Sequence, residues 1–314
     1  MFISPLADRV QRYDIYGECR VNGLKAVYLF SLLCVIYFIS NIHSPYFYYF
    51  YVAFIAFSAE IIGNTLKNKI LFLCLTLLGS AVSIFLFDLL LPYRFFFIMF
   101  AFVYSAALYF LVIQTKKSML PIVALMLGLA AYSLIYKQTN TNLYVAFNHF
   151  LQTILALLIM LIGLLLFPKT YYLAIWRRAF LATLTFLEDA ATMIEKQEVT
   201  VFPACPSMAI MDRYRKMLPT NARFYSVIKI TLLTFDLIMY QAYLISFKQR
   251  LRIEYVLVFR RYIKRLRIAC QKRKPLLITK KERDLLNETH ALRILVKIIH
   301  SWNYLCGDPL FQKH

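Results

Sequence analysis

Residues 94–114 read RFFFIMFAFVYSAALYFLVIQ, with nineteen uncharged residues between Arg94 and Gln114. As a helix this run covers a ~30 Å hydrocarbon core, which takes about 17–25 residues. Working outward, five more mostly apolar runs crowd the first 168 positions: Leu24–Asn41, Tyr46–Ile62, Lys69–Leu91, Met119–Tyr136 and Leu143–Phe167. The expectation is an all-α polytopic membrane protein in three parts. Residues 1–23 form a cytosolic N-terminal segment, 24–168 a six-helix transmembrane domain, and 169–314 a basic cytosolic helical domain.

Composition agrees with lipid as the solvent of the first half. The chain is 61% hydrophobic, with a mean hydropathy of +0.61, far from a soluble average. Its net charge of +20 is unevenly placed. Residues 169–314 hold 26 Lys and Arg against 11 Asp and Glu, a balance of +15.

Loop charges predict the orientation. One side collects Arg9, Arg12, Arg20 and Lys25, then Lys67 and Lys69, Lys116 and Lys117, and Lys169, Arg177 and Arg178; the other has Arg94 and Lys137. The positive-inside bias makes the first side cytoplasmic and puts both termini there. Tyr46, Tyr48, Tyr49 and Tyr51 suit an outer aromatic belt, and Tyr171, Tyr172 and Trp176 an inner one. The polar first 23 residues show no cleavable leader, so the first span is read as the insertion signal.

After Pro168 the chain reads as helices over about Thr170–Lys196, Ser207–Met217, Asn221–Phe247 and a basic stretch to Lys272. Thr279-Lys280-Lys281-Glu282 looks like a capping box opening a last helix that runs to about Leu305. Residues Ile230–Phe247 are apolar enough for a seventh span. Asp236 and Lys229 make insertion costly, and a crossing there would leave the following cations outside. A buried helix of a cytosolic bundle is the preferred reading.

Lys248–Lys274 holds 11 basic residues against Glu254 alone. Arg250, Arg252, Arg260, Arg261, Lys264, Arg265 and Arg267 are expected to form a basic surface facing anionic lipid. A field that gathers anionic substrate ranks second. Nucleic acid, with Tyr255, Phe259 and Tyr262 as stacking platforms, ranks last, because helical spacing makes those rings an apolar stripe.

Within the spans, Asn148, His149, Gln152 and Thr153 make one polar face of the sixth helix, as a substrate path would; hydrogen-bonded helix packing is the competing reading. Glu60 joins the path as a candidate. Asp88 is read as interfacial, paired with Arg94. Gly79-x-x-x-Ser83 and Ala124-x-x-x-Gly128 allow backbones to approach closely. The scattered cysteines and histidines have no metal spacing, and no nucleotide or hydrolase motif is present, so no cofactor, metal or enzymatic activity is expected.

The stretch Gly63-Asn64-Thr65-Leu66-Lys67, followed by Thr76-Leu77-Leu78-Gly79, resembles the second-to-third-span region of the fusaric acid resistance (FUSC-type) and aromatic acid exporter family. Gln152-Thr153-Ile154-Leu155-Ala156 and the Leu-Leu-Leu-Phe167-Pro168 ending resemble that family's sixth span. This chain has Phe72 where the family often has arginine, Leu75 where it has glycine, and His149 and Gln152 where it has Arg and Asp. The resemblance implies an inner-membrane exporter of hydrophobic or aromatic organic anions, working as a homodimer or paired with another half, because one six-span unit is present where many relatives carry two. A periplasmic adaptor protein would carry substrate past an outer membrane. His149 is nominated for proton coupling. The plant malate channels share a similar plan, so a passive anion channel is the alternative, and a non-transporting membrane scaffold is the third reading.

Overall fold

The computed structural model describes residues 13–40, 66–115, 120–135, 143–196, 203–218, 224–246 and 253–307, with the side chains of a few helical positions left outside, Phe72, His149 and Thr153 among them. The expected span Tyr46–Ile62 with Glu60, the Gly63–Thr65 part of the family-like turn, and Arg250 and Arg252 all lie outside the described residues. The described residues form eleven α-helices and no strand. They are α1 Glu18–Ser40, α2 Leu66–Leu90, α3 Arg94–Thr115, α4 Leu120–Ile135, α5 Leu143–Leu166, α6 Thr170–Lys196, α7 Pro206–Met217, α8 Tyr225–Ser246, α9 Ile253–Lys272, α10 Lys280–Leu286 and α11 His290–Cys306.

Among the described residues, four helices are long and apolar enough to cross a membrane: α1, α3 over Arg94–Gln114, α5 and α8. Three of these coincide with expected spans. The third expected run falls on α2, which contributes the shorter apolar stretch Leu78–Leu90. The fifth falls on α4, whose 16 residues are just under the length that spans a bilayer.

The chain divides into two compact units, one of residues Cys19–Phe167 and the other of Met1–Glu18 with Pro168–His314. In the first, α2 is the hub, packing on α3, α4 and α5. Ala81, Ile84 and Phe87 of α2 meet Met126 and Ala130 of α4 and Ala156 and Met160 of α5. Gly79 lies at the α2–α4 contact, where a Cβ would meet the flexible thioether end of Met126 and push it aside. Phe87 gathers Phe97, Phe100 and Tyr104 of α3 at ring separations of 5.4–6.4 Å, the range in which edge-on aromatic pairs attract.

The outer face of α3 is bare. Phe95, Phe96, Ile98, Met99, Phe102, Val103, Phe110, Leu111 and Ile113 are all exposed. Each such side chain is worth about 1.5–3 kcal/mol when withdrawn from water. A face of this size is compatible with an apolar solvent around the helix.

The second unit has its own core. Trp176 and Phe180 of α6 stack with ring centroids 5.4 Å apart, and Trp302 of α11 lies 5.8 Å from Phe180. The Trp176 indole donates to the Thr231 hydroxyl of α8 at 2.9 Å. Trp176 is thus a fully buried core residue and not part of an interfacial aromatic belt. Its indole N–H finds a partner inside the protein, which removes the reason to sit at a polar boundary. The helix α8 buries Val227, Ile230, Leu237 and Gln241 within this unit and leaves Leu232, Phe235, Met239 and Tyr243 exposed.

The capping box at Thr279 forms as expected. Its hydroxyl accepts from the Glu282 backbone N–H, and the Glu282 carboxylate accepts from the Thr279 N–H at 2.8 Å. The helix it opens ends early, at Leu286. Thr289 then caps a separate helix, accepting from the Leu292 N–H. The single long final helix is therefore two, because Asn287-Glu288-Thr289 holds a residue whose hydroxyl competes for the backbone and starts a new N-terminus. Asn303 fastens the preceding linker to α11, accepting from the Leu276 N–H at 2.7 Å and donating to its carbonyl at 2.9 Å.

Candidate functional site

Among the described residues, the first unit carries polar groups on four helices, with Lys25 of α1 buried at 4% exposure. On α2, Ser80, Ser83 and Asp88 are buried at 0–1% exposure. The Ser83 hydroxyl donates to the Gly79 carbonyl at 2.8 Å and shares a 2.9 Å hydrogen bond with the Tyr104 hydroxyl of α3. On α5, Gln152 is half-buried, with its side-chain oxygen withdrawn from the surface. One turn further on, Ala156 is fully buried against the unit's core. Asn148, by contrast, is exposed one turn nearer the start of α5.

Of the proposed path, then, Gln152 is drawn inward and Asn148 faces outward. The backbone positions of His149 and Thr153 lie on the same helix, while Glu60 is outside the described residues. Asp88 is deeply buried and Arg94 is exposed, an environment unlike that of a surface ion pair. Sequence reasoning treated Ser83 as a packing residue and passed over Ser80. The available signal was their spacing with Asp88, which puts all three on one side of α2.

The small-residue patterns separate. Gly79 is engaged by Met126, whereas a Cβ on Gly128 would meet nothing within 4 Å. Gly163 of α5, not singled out by its sequence context, is a true close approach: a Cβ there would lie 2.8 Å from the Leu29 side chain of α1.

In the second unit the basic helix α9 is largely committed to its own fold. Arg267 donates to Glu188 of α6 at 2.9 Å, and Arg260 to Glu195 of α6 at 2.9 Å. Arg265 reaches Glu282 of α10 at 2.7 Å while its guanidinium lies 5.0 Å from the centre of the Tyr262 ring. Three of the seven cations nominated for a basic surface are therefore neutralised by carboxylates remote in sequence. Arg261 and Lys264 remain exposed and have no ion pair among the described residues. Phe259 and Tyr262 are buried at 6% and 4% exposure, so they form the apolar stripe of α9 and offer no face to a nucleobase.

Electrostatics in this unit follow from burial. The Cys270 thiol is pushed up to about 12 by desolvation, with the neighbouring Cys306 adding to the rise and Arg177 opposing it. Cys306 is likewise pushed up to about 12 by burial. Burial pulls the Arg177 guanidinium down, helped by the like charge of Arg273. These groups pack; none of them is poised as a nucleophile.

Among the described residues no three His, Cys, Asp or Glu side chains come together as a metal site. A comparison with protein-family models found no match, and a comparison with curated proteins found none.

Proposed function

We propose that this chain is a six-span protein of a cell inner membrane, with both termini and the basic helical domain on the cytoplasmic side. It exports hydrophobic or aromatic organic anions, coupled to protons, and works as a homodimer. The observation that carries this reading is the burial of Asp88, with the Gln152 side-chain oxygen also withdrawn from the surface, in an apolar helical unit. Polar side chains at such depth are costly unless they serve a partner, a substrate or a proton. The bare apolar face of α3 supports lipid as the surroundings. The sequence resemblance to the aromatic acid exporters supports the substrate class.

Arg261 and Lys264, exposed on α9, supply a smaller attracting field than the raw charge count suggests, since three neighbours are already paired. Membrane lipid and substrate compete for the same cations. His149 on α5 is assigned the coupling proton, and a periplasmic adaptor is a further partner of the assembly.

The test is flux in proteoliposomes with an aromatic carboxylate such as benzoate. A coupled exporter moves it in response to an imposed proton gradient, and replacing both His149 and Gln152 by Leu abolishes that response. Flux that follows the anion gradient alone assigns the chain to the malate-channel type. No flux from protein shown to be folded leaves the scaffold reading and removes transport.

A further inference from the structure

The second unit holds a cleft that the transport reading does not use. It lies where the ends of α6 and α8 meet the starts of α9 and α11, with Ile194, Tyr240, Tyr255, Phe259 and Thr289 among its walls. Counted out to solvent it is about 410 Å³, and it is lined largely by aromatic and aliphatic side chains, as small-molecule sites generally are.

One polar group in its wall has no counterpart. Gln241 of α8 lines the cleft, is 3% exposed, and its side-chain oxygen has no hydrogen-bond partner among the described residues. Its neighbours along the buried face of α8 are apolar: Leu237, Ile238, Leu244 and Ile245. A leucine would fill this position without the desolvation cost that an unmade hydrogen bond carries. The amide therefore marks where a partner would have to come from outside the fold. Among the described residues no charged side chain lines the cleft, a lining that favours a neutral partner, since burying a lone charge is costly.

We propose that this cleft binds a small neutral amphiphile, an aromatic or short aliphatic body carrying one hydroxyl or carboxamide head. The head donates a hydrogen bond to the Gln241 side-chain oxygen, and the body lies between Tyr240, Tyr255 and Phe259. The site is separate from the polar groups assigned to transport and is independent of that reading.

The experiment uses the full chain in nanodiscs, with benzyl alcohol and its non-donating counterpart toluene as probes and saturation-transfer NMR as readout. Wild type is expected to bind benzyl alcohol about tenfold more tightly than toluene, the ratio that one net hydrogen bond supplies. Gln241→Leu should bring the two affinities together while leaving toluene binding in place. Ala291→Trp, which fills the cleft from a half-buried position at the start of α11, should abolish binding of both. Thermal unfolding of each variant separates loss of the site from loss of the fold. Equal signals from wild type and a folded Ala291→Trp would show partitioning into lipid and overturn the proposal. So would an alcohol preference that survives in Gln241→Leu.

Discussion

Glu188 of α6 accepts a 2.9 Å hydrogen bond from Arg267 of α9, and seven residues along each helix Glu195 and Arg260 repeat the contact at 2.9 Å. As the glutamate number rises the arginine number falls, so the helices run antiparallel with rungs one heptad apart. Leu184, Leu187 and Ala191 of α6 and Ile263, Leu266 and Cys270 of α9 are all buried, and the two helices pack together. Glu188 and Arg267 are themselves only 16% and 25% exposed. A double-mutant cycle of Glu188→Ala and Arg267→Ala should give a coupling of about 1 kcal/mol by denaturant unfolding, above the usual surface pair because of this shelter. A coupling indistinguishable from zero would mean the rung is decorative.

The two buried thiols should be silent. With values near 12, Cys270 and Cys306 hold about one thiolate in ten thousand at pH 8. Maleimide applied to the folded protein should label Cys19, which is exposed, and reach Cys270 and Cys306 only after denaturation. Peptide mapping by mass spectrometry reads this directly, and rapid labelling of Cys270 in folded protein would contradict the packing of α9 on α6.

Glu282 sets an acid limit on the second unit. Hydrogen bonds from the Thr279 backbone, then from Arg265 and Tyr262, hold its carboxyl down from 4.5 to about 2. A depressed folded value contributes stability that is present above pH 4.5 and lost as pH falls toward 2. The melting temperature should therefore fall across that window, and the part due to this cap should be missing in Glu282→Gln. Parallel pH profiles for the two proteins would remove Glu282 from the explanation.

Gly79 and Gly128 predict opposite outcomes. Gly79→Ala should be absorbed by a shift of the flexible Met126 end, whereas Gly79→Leu forces the helices apart at a cost of about 1–3 kcal/mol. A Cβ on Gly128 meets nothing within 4 Å, so Gly128→Ala should cost no thermal stability. Size-exclusion profiles after a heating series compare all three, and a loss at Gly128 equal to that at Gly79 would refute this account of the α2–α4 contact.

Arg273 ends α9 with a φ of 54°, and the next residue's N–H returns to the Ala269 carbonyl at 3.0 Å. This helix ending favours glycine, since a side chain in the left-handed region costs roughly 1 kcal/mol. Arg273→Gly should raise stability by about that amount, with relief of repulsion toward Arg177 adding to it. Destabilisation instead would show that the arginine side chain makes a compensating contact.

Local signals were legible where one stretch of chain decides the outcome. The α6 boundaries at Thr170 and Lys196, the capping box at Thr279 and the apolar stripe of Phe259 and Tyr262 all follow from spacing within a few turns. What escaped depends on partners far along the chain. The 248–274 window holds one acid, yet Glu188, Glu195 and Glu282 arrive from other helices to pair with its arginines. The clue was the matching seven-residue spacing of 188 with 195 and 260 with 267, which a charge count does not register. Trp176 was misplaced for the same reason: an aromatic beside arginines resembles a belt until Thr231 and Phe180 enclose it. In the first unit, burial separated Gln152 from Asn148, although helical spacing groups them on one face.

The bare side of α3 gives the surrounding medium a role of its own. Over its most apolar window this helix buries no residue completely within the chain, so one side of it answers to whatever molecules press against it. In a bilayer, acyl-chain length would then act on this part of the protein directly: a thinner leaflet tips the helix and a thicker one stands it upright. Since Tyr104 of α3 is tied to Ser83 and Phe87 holds Phe97, Phe100 and Tyr104, that tilt would reach the hub helix through a hydroxyl pair and a cluster of rings.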